Sequence, residues 1–255
     1  MIGEPSLRIQ ADPDATSRAA AQAIALAMRE AVEERGRADW ATTGGSTPVG
    51  IYRALAAPPL AELVPWAGVH VWWGDDRYVP RDDRLSNVRP FDEELRPHVP
   101  LPEANVHEID MDDAIRASAG PEGAASAYEA ALRAAGLPLT DDGFPVLDVV
   151  LVGIGGDGHV LSAFPGTALF DSPAWVSAVP APAHIEPHVA RVSLHPRILQ
   201  GSGLPMVVAH GASKAAIVAK VLGPERDVRR WPVQTARFAG AVWFLDRAAA
   251  ASLPE

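Results

Sequence analysis

Cysteine is absent from the 255 residues, which excludes disulfides, thiolate metal sites and cysteine nucleophiles and leaves the redox compartment open. Lysine is nearly absent too: of 22 basic side chains only Lys214 and Lys220 are lysine, so each is worth reading individually. No apolar run reaches the roughly eighteen residues that a membrane-spanning helix needs. The opening Met1–Ile2–Gly3–Glu4–Pro5 has neither the basic nor the apolar region of a secretory signal, so the expectation is a cytoplasmic protein that does not engage membrane. Positive charge is short as well, 22 basic against 32 acidic residues for a net charge of −10. That balance argues against a nucleic-acid partner, which needs a basic face to displace counterions. An anionic small molecule remains admissible if a few cations converge locally.

What is present is a hydrophobic fraction of 48% distributed in short runs. Residues 14 to 35 read as a helix with an Asp14 or Thr16 start and a stop at Gly36. A strand is predicted at 38–43, and further strands at 69–73, 147–153, 189–194, 205–210 and 241–245. Helical stretches at 48–57, 121–135, 195–200 and 212–222 lie between them. This alternation predicts a Rossmann-like α/β fold, a mostly parallel sheet with helices on both faces, in a single domain spanning 1–255. The proline-rich stretches 58–65, 97–102 and 180–187 read as loops rather than as domain boundaries. Sheets of this kind bind ligands beyond the carboxyl ends of their strands, so chemistry is expected just after strands.

Three strand-end segments carry candidate groups. The first, Thr42–Thr43–Gly44–Gly45–Ser46–Thr47–Pro48, leads from a strand into a helix. Its glycines let backbone N–H groups turn inward, its hydroxyls add donors, and a helix N-terminus favours an oxyanion. Simple capping by Ser46 or Thr47 explains the same residues. The segment is neither a Walker loop nor a nucleophile elbow. The second, Gly74–Asp75–Asp76–Arg77–Tyr78–Val79–Pro80 followed by Ser86–Asn87, crowds two carboxylates, which repel unless a cation or a ligand balances them. An Asp–Arg ion pair fixing the loop and direct substrate contact by Asp75 are both open readings.

The third segment runs Leu147–Asp148–Val149–Val150–Leu151–Val152–Gly153–Ile154–Gly155–Gly156–Asp157–Gly158–His159. It ends a buried strand in glycines and delivers Asp157 and His159 to the sheet edge. Imidazole titrates near neutrality and can take a proton from water, while a neighbouring carboxylate selects its tautomer. His159 is therefore the candidate general base and Asp157 its orienter. The glycines formally fit G-x-G-x-x-G but lead to Asp–Gly–His instead of a long helix. Arg191 and Lys214, from consecutive units, could converge on one phosphate, although Lys214 also reads as a solvated surface residue. The other histidines show no metal-ligand spacing apart from His184 and His188, which fall in a proline-interrupted segment that reads as irregular, and no metal is expected.

Jointly, Gly44–Gly45–Ser46–Thr47–Pro48, Gly74–Asp75–Asp76–Arg77–Tyr78–Val79–Pro80 with Ser86–Asn87, and Gly153–Ile154–Gly155–Gly156–Asp157–Gly158–His159 with Ser162–Ala163–Phe164–Pro165 resemble the signature blocks of the 6-phosphogluconolactonases. The resemblance covers about residues 10 to 245. It implies the fold shared with glucosamine-6-phosphate isomerase/deaminase, no metal or nucleotide cofactor, and hydrolysis of 6-phospho-D-glucono-1,5-lactone in the oxidative pentose phosphate pathway. On it, His159, Asp157 and Asp75 are expected to serve catalysis. Gly44, Gly45, Ser46, Thr47, Arg77, Asn87, Arg191 and Lys214 are expected to hold the substrate and its phosphate. The partner is then a small sugar-phosphate lactone, bound by a monomer or small homo-oligomer.

Two departures from the family pattern stand out. Asp76 replaces the usual glutamate, and Val160, Leu161 and Ala163 replace the usual residues after the histidine. A deaminase of the same fold would carry Asn-Glu-Pro where this chain has Ala163–Phe164–Pro165. A non-catalytic sugar-phosphate sensor would carry a DNA-binding helix-turn-helix where residues 1–40 offer one long acidic helix.

Overall fold

Glycine and aspartate punctuate the first long element. In the computed structural model, which describes residues 3–254, α1 spans Pro13–Arg35 and its N-terminus is capped by Asp12, whose carboxylate accepts the Ala15 N–H at 2.7 Å. The predicted caps Asp14 and Thr16 thus fall inside the first turn, because proline at N1 starts the helix earlier. Gly36 ends it at φ 75°, a left-handed position that glycine takes without steric cost. One stripe of α1, including Ala20, Ala21, Ile24, Ala25 and Met28, is fully buried. Ile24 and Met28 each contribute about 2 kcal/mol by that burial. Met1 and Ile2, part of the segment read for a signal, lie outside the described residues.

The strands are β1 (Ser6–Gln10), β2 (Ala38–Thr42), β3 (Val69–Trp73), β4 (Asp75–Arg77), β5 (Val106–His107), β6 (Val149–Val152), β7 (Val176–Val179), β8 (Arg191–Leu194), β9 (Leu204–Ala209) and β10 (Val242–Asp246). The other helices are α2 (Thr47–Leu55), α3 (Leu60–Leu63), α4 (Arg89–Glu94), α5 (Met111–Arg116), α6 (Gly120–Ala134), α7 (Ile198–Gly201), α8 (Ala215–Leu222) and α9 (Arg247–Ala250). Seven strands form a parallel sheet in the order β1-β10-β9-β6-β2-β3-β5. Every residue of β2 and β6 is buried, as the central strands of a parallel sheet covered by helices require. Trp40, Trp72, Trp73 and Trp243 are among the largest fully buried side chains. They anchor one contiguous core that reaches from α1 through the sheet to α6 and α8.

One predicted strand sits elsewhere. The run at 189–194 does not join the parallel sheet. It forms β8 of a second, antiparallel sheet in the order β4-β8-β7. Its partner β4 is the Asp75–Asp76–Arg77 segment that reads as a loop, since charged residues are poor strand formers by themselves. The cross-strand register pairs Arg77 with Arg191 and Asp75 with Ser193. This small sheet lies beside the carboxyl edge of the large one: Leu194 donates its N–H to the Gly74 carbonyl at 2.8 Å, and Gly74 donates to the Thr42 carbonyl at the end of β2, also at 2.8 Å. It therefore carries two arginines to the place where the parallel strands end.

Candidate active site

The strand order of the large sheet reverses between β2 and β6. From β2 the chain moves outward to β3, whereas from β6 it reaches β9 on the other side. A crevice at that reversal is where open α/β sheets bind ligands. The loops after these two strands line one cleft of about 260 Å³. Residues 43–47, Gly153 to Gly156 and His159 contribute to it, with Asp75, Arg77, Asn87, Leu161, Ile185, Arg191 and Lys214. Every residue expected from the sequence to serve the site lines this cleft except Asp157, which stands beside His159. A wider, open depression of about 800 Å³ lies beside Arg81, Arg89, Asp92 and Asp112. There carboxylates outnumber arginines and the arginines are already paired, Arg81 forming a fork with Asp92 at 2.8 and 2.9 Å and Arg89 bonding Glu93 at 2.7 Å.

His159 and Asp157 form a hydrogen-bonded pair. The imidazole Nδ1–H donates to Asp157 Oδ1 at 2.6 Å, and the His159 backbone N–H donates to the same oxygen at 3.0 Å. With Nδ1 so engaged, Nε2 is the nitrogen left to accept a proton. Partial burial opposes the Asp157 charge, yet the bonds from His159 and His184 prevail and hold the carboxyl below its ordinary range. The turn that brings the two together closes with Gly158 N–H on the Gly155 carbonyl and Gly155 N–H on the His159 carbonyl, both at 3.0 Å. Gly155 is required by close approach: a Cβ there would stand 2.0 Å from His159 Nδ1. Two residues after the histidine, Leu161 adopts φ 54°, a strained backbone for a branched side chain that costs about 1 kcal/mol or more.

Across the cleft, Asp75 is buried and engaged on both oxygens. Ser162 donates its hydroxyl to Oδ2 at 2.6 Å, and Asn87 Nδ2 lies 3.3 Å from Oδ1. Asn87 also donates to the Asp75 carbonyl at 2.7 Å and accepts from Arg77 Nη1 at 2.5 Å. No Asp–Arg ion pair fixes this segment among the described residues. Arg77 is instead held by the Asn87 side chain and the Leu85 carbonyl. Asp76 lies behind, its Oδ1 accepting the backbone N–H groups of Arg77 and Asn87 at 2.7 Å each. Burial first, and then the neighbouring Asp75 charge, outweigh those bonds and push its carboxyl up to about 7. The residue standing where glutamate is usual is thus an internal brace. Gly44 faces the same brace, since a Cβ on it would meet Asn87 Oδ1 at 1.9 Å.

The cations are partly unspent. Arg191 is 3% exposed, its Nε has no hydrogen-bond partner, and its Nη2 makes one long bond of 3.4 Å to the Pro187 carbonyl. Arg77 Nε is likewise buried without a partner. Buried polar groups are normally satisfied, so two orphaned guanidinium donors at one cleft call for an anion. Lys214 is not a free surface lysine: Nζ donates to the Ile154 carbonyl at 2.7 Å on the cleft wall. Burial pulls its ammonium below the ordinary lysine range, with the Asp157 charge opposing. Ser46 occupies the position before α2 without making a side-chain cap, which leaves its hydroxyl to the cleft. Among the described residues no cluster of three or more His, Asp or Glu is placed to hold a metal ion.

Four neighbours escaped the sequence reading as site residues. Ser162 and Phe164 belong to a block the sequence makes visible, but only the fold shows that Ser162 holds Asp75 and that Phe164 packs its ring 4.8 Å from His159. His184 and Ile185 fall in a proline-interrupted stretch that reads as irregular despite the His184–His188 spacing, and both reach the cleft region through tertiary contact.

Comparison with known proteins agrees with this geometry. Residues 11–244 match the family described as glucosamine-6-phosphate isomerases/6-phosphogluconolactonase. The 6-phosphogluconolactonase of Mycobacterium tuberculosis is 34% identical over 250 residues, covering 98% of each chain. That of Streptomyces coelicolor is 32% identical over 260 residues, covering 100% of this chain and 97% of its own. Among solved structures, the 6-phosphogluconolactonase of Trypanosoma brucei superposes with a TM-score of 0.86 at 28% identity, covering 98% of this chain and 99% of its own. A monomeric glucosamine-6-phosphate deaminase shares the fold at 20% identity and a TM-score of 0.75. The chain therefore belongs to the glucosamine-6-phosphate isomerase/6-phosphogluconolactonase family.

Proposed function

We infer that this chain is a lactonase that hydrolyses 6-phospho-D-glucono-1,5-lactone to 6-phosphogluconate, as a single domain in the cytoplasm. The observation that carries the reading is one cleft holding both a carboxylate-oriented imidazole and orphaned cationic donors. The relatives' shared name supplies the substrate class. His159 Nε2 takes a proton from water as its oxygen attacks C1 of the lactone. Asp157, on Nδ1, stabilises the imidazolium that forms. Negative charge developing on the carbonyl oxygen meets the amides of the Gly44–Gly45 turn, a type of contact worth about 3 kcal/mol per donor. The tetrahedral intermediate collapses, the C1–ring-oxygen bond breaks, and His159 returns its proton to that oxygen. Arg191, Arg77, Lys214 and the hydroxyls of Ser46 and Thr47 bind the phosphate, while Asp75 and Asn87 orient the sugar and the loop that carries Arg77. All these groups come from one chain, so a monomer or a small homo-oligomer serves equally.

Two substitutions test the reading. His159→Ala lowers background-corrected lactonase kcat by roughly a hundredfold or more, the loss expected for a general base; near-full turnover would remove His159 from that role. Arg191→Ala raises KM for the phosphorylated lactone and leaves hydrolysis of unphosphorylated gluconolactone almost unchanged. Equal effects on both substrates would exclude phosphate contact.

A further inference from the structure

Asp157 has two oxygens, and the base occupies only one of them. The other, Oδ2, accepts the Nε2–H of His184 at 2.9 Å. His184 belongs to the 180–190 segment, which joins β7 to β8 in the small antiparallel sheet. Much of the segment is exposed, the His184 side chain to 51%. Ile185 lines the cleft and packs on the cluster of Ala163, Phe164, Leu169 and Val179. Phe164 separates the two imidazoles, its ring 4.8 Å from His159 and 5.6 Å, edge to face, from His184, with the Arg191 guanidinium 5.0 Å from its centroid. The segment is tied within itself by His188 Nδ1–H on the Pro182 carbonyl at 2.7 Å, and to the cation by Arg191 on the Pro187 carbonyl. Its only side-chain hydrogen bond to the catalytic loop, among the described residues, is the one from His184.

We propose that His184 is a positioning residue for the reaction: its Nε2–H holds the outer oxygen of Asp157, fixing the carboxylate for His159, and the same bond latches the 180–190 loop across the cleft. The inference rests on His159 as the base. A carboxylate shared between two imidazoles gives less of its charge to either, so His184 restrains how strongly Asp157 stabilises the His159 imidazolium. The bond also couples loop position to base orientation, since opening the loop leaves Asp157 held through Oδ1 alone. The other charged groups near this pair are Arg191 from β8 and Lys214 before α8, both of which sense the Asp157 charge; Glu186 and His188 lie on the loop itself.

The test compares wild type with His184→Ala, which removes the donor, and His184→Gln, whose amide can donate from a similar position but cannot titrate. The imidazole Cε1–H signal of His159 is followed by NMR against pH, and steady-state kinetics are measured on the same samples. His184→Ala should move the His159 signal upward in pH relative to wild type, because the whole carboxylate now faces one imidazole. It should also cut kcat/KM roughly tenfold, within the usual range of coupling between contacting groups. His184→Gln should restore both. Reciprocally, His159→Gln must move the His184 midpoint, because coupling between two sites is mutual. Unchanged His159 midpoints in both variants would overturn the proposal. So would equal activity loss in His184→Ala and His184→Gln with an unmoved His159 signal, which marks a merely structural loop residue. The NMR arm needs no turnover: a moved midpoint beside a fully active His159→Ala would sink the base and leave the Asp157 contact standing.

Discussion

The two ends of the parallel sheet both gather arginines and aspartates and use them in opposite ways. Near the amino ends of β2 and β3, Arg37 grips Asp39 with two bonds of 2.7 Å, and Trp72 Nε1 donates to the same carboxylate at 2.8 Å. Asp148, just before β6, accepts the Asp39 backbone N–H at 2.8 Å and pairs with Arg35. That network is closed, each named charge being answered by a protein partner. At the carboxyl ends, Arg191 and Arg77 keep orphaned Nε donors and Ser46 makes no cap. In a closed network protein partners offset the desolvation of each charge, whereas an open one leaves that cost for a ligand to offset. The difference separates a structural charge cluster from a site when the residue types look alike.

The sharpest break in this contrast comes from Gly155. Gly155→Ala drives a Cβ into His159 Nδ1 and Asp157, so kcat should fall about a hundredfold, equivalent to about 2.7 kcal/mol. Circular dichroism and thermal unfolding should change little, because the clash falls on a loop at the sheet edge; a large loss of Tm with normal kcat per folded molecule would invert the assignment. Asp39→Ala should do the reverse. It strands Arg37 and the Trp72 indole N–H, costing about 2 kcal/mol of stability by urea denaturation, while the kinetic constants of the folded enzyme stay within about twofold. A selective loss of kcat in that variant would show the two ends to be coupled.

The smallest effect concerns pH. His107 stacks on Trp72 with centroids 4.1 Å apart and lies 2.9 Å from His70 Nδ1 through its Nε2. Burial, and then the His70 and Arg37 charges, lower it to about 4. The unfolded chain, titrating near the ordinary histidine value of about 6.5, therefore binds the proton first. The contribution of neutral His107 is complete above about pH 6.5 and is lost as pH falls toward 4. His107→Gln stays uncharged throughout, so its urea midpoint should decline less than that of wild type between pH 7 and 5. Parallel declines would free His107 from this role.

These contrasts also show what the sequence makes legible. The parallel core was readable because its strands are short apolar runs separated by helical periodicity, and strand ends then pointed to the loops at Gly44, Asp75 and His159. The antiparallel sheet was not. Asp75–Asp76–Arg77 becomes a strand only because β8 lies alongside it, and that pairing spans more than a hundred residues of chain. The cap of α1 lies at Asp12, two residues or more before the expected Asp14 or Thr16, because proline takes the first helical position. Of the site, the groups on strand ends were visible and their engagement was not. Nothing local distinguishes Asp76 as a brace from Asp75 at the cleft, nor places His184 against Asp157.

The scarcity of lysine has a practical counterpart at Lys214. One of the chain's two ε-amines lines the cleft with its ammonium depressed by burial, and the other, on Lys220, is exposed. An amine-directed acylating reagent applied to the intact protein would therefore report on cleft occupancy at Lys214, with Lys220 as an internal reference in the same digest. With only two lysines in the chain, covalent footprinting can be read peptide by peptide without engineering any residue away.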